Sequence, residues 1–567
     1  MSQTLSLAER APVGGFGLVA RVRGDLPRLR DALRAEGFYA GEVTAEIAGR
    51  PPDSPGLAEE LDAATGDVQV RFRLAPGPRY RIGRLDIAAE PAAATPVLAA
   101  ATARPFGVAV GDPARAGPVL DAPDEILRRL RVAGRPLATV TAQQVVVDHD
   151  ARTMEVTLRI APGPAAAWGA PTIQGTDRVN PALLERIATR RLTGRPATPE
   201  RLEAARRALL GLQVFDSVRA EPARALDPGG NLPVTFVVNE RPRRALGVSA
   251  AWETVFGPTL SAYWEHRNLW GGAEALRIEA EGARFGTGGN VADATYRLTG
   301  RLRTPEVLRR DVQMELRVQA ARERLEAFDR DGVTISALFD HRLNERTTLR
   351  LGPGYAAGQI GRDGSSQPFQ RFDLTLAARY DDTDNPLDPT RGYRAAITAQ
   401  PSLPLDGDSR FTRFRLDAST YWALRPEGAT VLALRAAAGT TLGATRDDLA
   451  LDTRFYAGGG GSVRGTPFQG IGPRDSANRP VGGASLLEGS IELRQRITET
   501  LGVVAFLDAA ALGEGRWPDL SDLRFGAGLG VRYMTAIGPL RADIGVPLNR
   551  RSGDPAFGIY IGLGQAF

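Results

Sequence analysis

Few residues in this chain have the types and spacing that chemistry needs. Its 567 residues hold three histidines, His149, His266 and His341, each far from the others. None stands in an HExxH or paired-ligand spacing, and no GxSxG elbow occurs, so neither a metal centre nor a serine nucleophile is indicated. There is no cysteine and no lysine, so all 71 basic residues are arginine. Thiol catalysis, a Schiff-base lysine and a Walker P-loop are thereby excluded. What remains is the pairing of guanidinium with carboxylate, which positions groups rather than transforms them. The most pointed candidate is Arg464 in "FYAGGGGSVRGTPFQG" (455–470), flanked by Val463 and Gly465 and followed by Phe468. Four glycines give this backbone little preferred conformation, yet a charged, rigid side chain stands at its tip. As a phosphate cradle, Gly458–Gly461 would have to open an amphipathic helix, and none follows. The expectation is a protein that is not an enzyme and holds no metal or cofactor.

The elements that must position Arg464 come from the pattern around it. From about residue 244 to the end the period is two. Val312, Met314, Leu316 and Val318 alternate with Gln313, Glu315, Arg317 and Gln319; Phe372, Leu374 and Leu376 alternate with Arg371, Asp373 and Thr375. Such runs are strands with one apolar and one strongly polar face. Turn chemistry separates them, as in "DDTDNPLDPTRG" (381–392) and "RDGSSQP" (362–368). A soluble sandwich also alternates. Here, however, unlike charges recur on the polar face and no helices cover the apolar one. An apolar outside and a charged inside suit lipid, where the backbone must pair fully and the sheet must close. At roughly 20 residues per strand and connection, the region holds about 16 strands. No run of 18 apolar residues occurs, so no transmembrane helix is expected. The net charge of +5 is small for this length and gives no reason to expect nucleic acid as a partner.

The N-terminal part repeats. "EGFYAGEVTAEIAGR…GDVQVRFRLAPGPRY" (36–80), "AGRPLATVTAQQVVVDHDARTMEVTLRIAPGPA" (133–165) and "LGLQVFDSVRAEPARALDPGGNLPVTFVVNERP" (210–242) each carry two strands ending at a proline. An amphipathic helix precedes each: "DLPRLRDALRAEG", "APDEILRRLRVAG" and "TPERLEAARRALLG". This is a tandem array of small α+β modules, read either as a generic repeat with no partner or as a docking array whose free sheet edges accept an added strand.

Modules of this kind followed by a lipid-facing barrel, with VRG in a glycine-rich loop, resemble the outer-membrane assembly and translocation barrels with POTRA domains. "NLWGG" (268–272), "DNPLDPTRGY" (384–393), "GGASLLEGSIELR" (482–494) and "FLDAAAL" (506–512) carry the resemblance with the VRG loop. It implies α+β POTRA repeats followed by a C-terminal transmembrane antiparallel β-barrel. The divisions are a partial first POTRA at 1–78, POTRA modules at 79–165 and 166–242, and the barrel at 243–567. Three modules resemble the translocation and assembly module barrel, TamA. The barrel-assembly insertase typically has five, and two-partner secretion transporters have two and a plug helix, which is not seen before residue 20. Residues 1–20 also lack the basic start and apolar core of a secretory leader. The expectation is that the recorded start lies downstream of the true one, which would account for both that and the partial first module.

The resemblance implies that the VRG loop folds into the barrel lumen and sets Arg464 opposite Asp508, the only charge in "VVAFLDAAAL". Glu492 shares the polar face of "SIELRQR" with Ser490, Arg494 and Arg496. Val463, Arg464, Gly465, Phe468, Glu492 and Asp508 are therefore the expected loop anchor. The first and last strands are expected to form a weak lateral seam, from Gly247 on one side and Gly558, Gly562, Gly564 and Phe567 on the other, since glycines weaken strand order. The implied function is assembly or translocation of client outer-membrane proteins such as autotransporters, with POTRA modules in the periplasm and a TamB-like partner. Polypeptide secretion of the two-partner type, or a passive pore, is the alternative.

Overall fold

The computed structural model describes residues 14–253, 257–283, 294–308, 311–362, 364–406, 409–425, 428–536 and 538–567. The reading of residues 1–20 for a leader or plug helix falls largely outside them, as does Asp363 of the 362–368 turn. The chain divides into two compact units. One comprises residues 1–175, 184–211 and 217–239; the other comprises 176–183, 212–216 and 240–567.

The first unit opens with α1 (Gly14–Ala35), β1 (Glu42–Ile47), α2 (Leu57–Ala63) and β2 (Val70–Ala75). The proline in "DLPRLRDALRAEG" suggests a helix starting at Asp25, but α1 begins eleven residues earlier and contains Pro27. The extension is held by packing: Leu18, Val19 and Val22 form one cluster with Ala45, Ile47, Leu57 and Ala58. Helix α2 has no counterpart in the sequence reading. It is too short for periodicity to reveal it and exists because Leu57 and Ala58 cover α1. The next repeat is β3 (Arg81–Ala89), α3 (Thr95–Thr102), α4 (Ala116–Val132), β4 (Thr139–Asp148) and β5 (Thr153–Ala161). Its sheet runs β3-β5-β4, with β3 parallel and β4 antiparallel to β5. The alternation Met154, Val156, Leu158 and Ile160 turns one face of β5 onto Val119, Ile126 and Leu130 of α4. The third repeat has the same order: β6 (Ala167–Gln174), α5 (Pro181–Leu192), α6 (Pro199–Leu210), β7 (Phe215–Pro222) and β8 (Asn231–Glu240), in a sheet β6-β8-β7.

Glu240, at the end of β8, closes the turn that leads into α5. One carboxylate oxygen accepts from the amides of Asp177, Arg178 and Val179, at 3.1, 2.9 and 2.9 Å, and from the Thr176 hydroxyl at 3.0 Å. Burial would raise the pKa, but these donors outweigh it and hold the group below the ordinary glutamate value. A depressed folded-state pKa stabilises above the unfolded value and is lost as pH falls through the folded one. Glu240→Gln should therefore lower stability at neutral pH by about 1 kcal/mol, a figure reduced for solvent screening. The deficit relative to wild type should begin to shrink as pH falls below the unfolded glutamate pKa of about 4.3 and vanish only below the depressed folded-state value, in urea unfolding followed by circular dichroism. An undiminished deficit at low pH would show that charge is not its cause.

Among the described residues the second unit holds sixteen strands: β9 (Arg244–Glu253), β10 (Gly257–His266), β11 (Ala275–Ala283), β12 (Thr295–Thr304), β13 (Val312–Arg324), β14 (Asp329–Arg342), β15 (Thr347–Arg362) and β16 (Ser365–Asp381), then β17 (Gly392–Pro404), β18 (Phe411–Ala423), β19 (Thr430–Leu442), β20 (Ser485–Arg496), β21 (Leu501–Gly513), β22 (Arg524–Thr535), β23 (Gly538–Pro547) and β24 (Gly558–Leu563). They form a closed antiparallel barrel in chain order, with β24 returning to β9. A sandwich is ruled out by that closure. The faces are those the alternation demands. Val503 and Leu507 of β21 are exposed outward, while Val504, Phe506 and Asp508 are buried inside. On β13, Leu316 and Val318 face out and Glu315 is buried.

Candidate functional site

Arg464 lies inside the barrel. The connection between β19 and β20, residues 443–484, turns back into the lumen. Val463 is fully buried against Phe455, Ile471, Leu486, Ala510 and Leu512. The next residue is held by charge. Arg464 Nε and Nη2 donate to the two oxygens of Asp508 at 2.7 and 2.8 Å, and its backbone amide reaches Oδ2 at 3.1 Å. Nη1 donates to Glu492 Oε1 at 2.7 Å and to Asp543 Oδ2 at 3.4 Å. The guanidinium also stacks on Phe506, its carbon 3.4 Å from the ring centroid. Arginine suits this place because a planar fork can meet a carboxylate on one side and a ring on its face at once. Burial disfavours its charge, and the contacts with Asp508, Glu492 and Asp543 offset that cost.

The glycines around the arginine serve close approach. Gly465 has φ +93°, and its amide donates to Tyr560 Oη at 2.8 Å. A Cβ at Gly526 on β22 would stand 2.1 Å from the Arg464 carbonyl oxygen, so the loop backbone rests directly on the wall. Val463, Arg464, Gly465, Glu492 and Asp508 thus meet at one place. Phe468 does not join them; it is half-buried, and its ring lies against Gly459 of the same loop. Sequence reasoning missed Asp543, although as the only carboxylate in "PLRADIGVP" it carries the same signal as Asp508.

Further ion pairs hold the rest of the connection to other strands. Asp452 is 3.4 Å from Arg330 on β14 and 3.3 Å from Arg371 on β16. Asp475 meets Arg362 on β15 at 2.9 Å, and Arg474 meets Asp554 at 2.7 Å. The loop is therefore fixed to β14–β16 as well as to β20, β21 and β23, and it occupies the lumen between them.

The residues expected at the seam separate. Among the described residues β24 pairs with β9 only through Tyr560 with Glu253 and Ile561 with Trp252. By contrast, β15 and β16 pair along their whole length, from Thr347 with Tyr380 to Arg362 with Ser365. Gly562 and Leu563 have no β9 partner, and β9 from Arg244 to Ala251 has no β24 partner. The outward side chains there are correspondingly bare: Leu246 and Val248 are 81% and 86% exposed, against 54% for Leu260 on β10.

Gly247 and Gly558 are not the reason for this opening. A Cβ at Gly247 would lie 2.2 Å from the Tyr263 ring, so Gly247 seats an aromatic from β10. Gly558 likewise seats Tyr560, whose hydroxyl stands 2.5 Å from where a Cβ would be. Phe567 is not at the seam at all. Gly564, with φ +86°, turns the chain off β24 and into the lumen. There Phe567 packs beside Tyr421, ring centroids 6.4 Å apart, and its carbonyl accepts from Arg494 at 3.1 Å. The lumen offers this tail specific partners, since Gln565 also bonds Arg532 and Asp388 at 2.8 and 2.9 Å.

Among the described residues no group of histidine, aspartate or glutamate is placed to hold a metal ion. His149 instead hydrogen-bonds Tyr80 at 3.0 Å.

Comparison with known proteins agrees with this geometry. The model of the Omp85 superfamily domain matches residues 268–567. The outer membrane protein assembly factor BamA of Neisseria meningitidis serogroup B is 22% identical over 498 residues, covering 78% of this chain and 62% of that protein. BamA of Nitratidesulfovibrio vulgaris is 30% identical over 198 residues, 33% of this chain and 24% of that one. The chain thus spans less than two thirds of the length of these curated relatives. Among solved structures, BamA from Haemophilus ducreyi lacking POTRA domains 1-3 superposes with a TM-score of 0.68 at 17% identity, over 85% of this chain and all of that one. CdiB from Acinetobacter baumannii gives 0.53 at 12% identity, over 86% and 91%. At these identities the likeness is one of fold.

Proposed function

The chain belongs to the Omp85 superfamily, and from that premise we propose that it is an outer-membrane assembly factor that helps client barrel proteins fold into the bilayer. The observation that carries the reading is the seam. An outward-facing strand edge from Arg244 to Ala251 with no neighbour leaves backbone donors and acceptors unpaired where lipid offers none. Such an edge templates an added strand through main-chain hydrogen bonds. In this reading the POTRA-like modules, placed in the periplasm, receive unfolded clients and pass them to that edge. Clients of the autotransporter type and a TamB-like periplasmic partner fit the three-module organisation. No bond is made or broken, so the reading requires neither a catalytic residue nor a cofactor.

Secretion through the lumen and passive solute flow both need an open channel. The VRG connection, fixed to strands on several sides of the lumen, disfavours them. Reconstituted into vesicles, the full chain should accelerate insertion of a urea-unfolded outer-membrane barrel added from outside, while its own conductance stays small and flickering. A wide, steady conductance with no acceleration of folding would overturn the assembly reading in favour of a pore.

A further inference from the structure

Arg541 is a cation that the described residues of the barrel do not satisfy. It lies on β23, paired in register with Arg532 on β22 and with Gly562 on β24. Its neighbours in the lumen are all matched. Arg464 holds Asp508, Glu492 and Asp543; Arg494 holds Glu492; and Arg532 holds Asp543. Of these four guanidinium groups, only that of Arg541 has no carboxylate within ion-pair distance among the described residues. The Nε and Nη1 of Arg541 are shielded yet have no hydrogen-bond partner among the described residues. Leaving such donors unmet costs more than the net gain of an ordinary hydrogen bond.

The position of this group gives it a use. A Cβ on Gly562 would stand 3.5 Å from Arg541 Nε and 3.9 Å from Nη2, so the guanidinium lies over the bare backbone of β24. Gly562 is also the first residue of β24 that has left β9. A strand laid on the free edge of β9 passes this point, and its lumen-facing side chain comes beside Arg541. Gly562 contributes no side chain to obstruct it.

We propose that Arg541 is a receptor for a carboxylate on an extended polypeptide entering the open part of the seam. The inference rests on the seam reading above and adds the chemistry of the partner. A carboxylate can take both unpartnered donors in a charge-assisted pair. It can come from a glutamate or aspartate side chain or from a chain terminus.

Three short synthetic strand peptides, alternating apolar and polar residues and each carrying one cysteine, separate these sources. One has a lumen-facing glutamate and an amidated end, one a glutamine and an amidated end, and one a glutamine and a free end. They are presented to the full chain in detergent micelles, carrying Ala250→Cys on the open edge of β9, with affinity read by fluorescence anisotropy and seam occupancy by disulfide trapping. At least one carboxylate peptide should bind about tenfold tighter than the neutral one, and which one does so names the source. Arg541→Gln should abolish the preference while trapping persists. Equal binding of all three peptides to the arginine-bearing chain, with trapping intact, overturns the carboxylate receptor and leaves the seam reading standing. A preference that survives Arg541→Gln overturns it too. Absence of trapping by any peptide overturns both.

Discussion

Arg464→Ala should destabilise the barrel by about 3–5 kcal/mol, the cost of removing one partner from a buried charge network, and should reduce client assembly without preventing insertion. The size follows from what is left behind. Asp508, Glu492 and Asp543 are at most 1% exposed, and all three lose a donor at once. Phe506 loses the plane stacked on it. Insertion should survive because the outward faces are untouched and Val463 keeps its apolar pocket. The loop also keeps its ties through Asp452, Asp475 and Arg474. What is lost is the central pin, so protease should cut within 455–470 before the barrel melts. Arg464→Lys should not rescue, since an ammonium offers neither the side-on fork nor the stack. The double variant Arg464→Ala, Asp508→Ala should be less unstable than the two single costs added, the mark of direct coupling. Normal client assembly by Arg464→Ala at normal abundance would remove the anchor role.

The period-two pattern made the barrel legible, because alternation states which face each residue takes. Glu492 and Arg494 could be placed inside, and Ile491 and Leu493 outside, from order alone. Alternation does not state which residues meet across the lumen. Asp543 reaches Arg464 from a strand 79 positions away, and that meeting depends on strand register and loop path accumulated over the intervening turns. Asp508 was placed through family resemblance, whereas Ser490, Phe506 and the hydroxyl of Tyr560 were not assigned roles. The loop's other ties were illegible for the same reason: nothing near Asp452 in sequence points to Arg330 or Arg371. The glycines misled in the opposite direction. Read locally, Gly247 and Gly558 weaken strands; in the fold each makes room for a tyrosine ring, and at Gly247, directly opposite Tyr263, that arrangement fixes register. Phe567 misled because an aromatic last residue on an alternating run reads as a continuing strand, and only the left-handed turn at Gly564 shows otherwise.

Locking the seam should abolish client assembly reversibly. Trp252 and Ile561 are a paired couple on β9 and β24, 39% and 48% exposed on the outer face. Opposed residues of an antiparallel pair lie about 4.5–5.5 Å apart at Cα, within the range a disulfide spans. The chain has no cysteine, so Trp252→Cys with Ile561→Cys creates a single possible bond, and neither change touches the charge network inside. If clients enter by parting these strands, the oxidised form should assemble them no faster than empty vesicles do, and reductant should restore the rate. A matched control places cysteines at Leu529 and Ile544, an opposed pair on β22 and β23, which also face outward. That bond crosses an interface paired along the whole of Gly526–Thr535, and it should leave activity unchanged. Full activity of the oxidised seam variant would mean that clients do not pass between β9 and β24, and the open edge from Arg244 to Ala251 would then need another occupant. Loss of activity in both locked forms would point to rigidity of the barrel as a whole. Only loss confined to the seam assigns the pairing of Tyr560 and Ile561 with β9 the role of a gate.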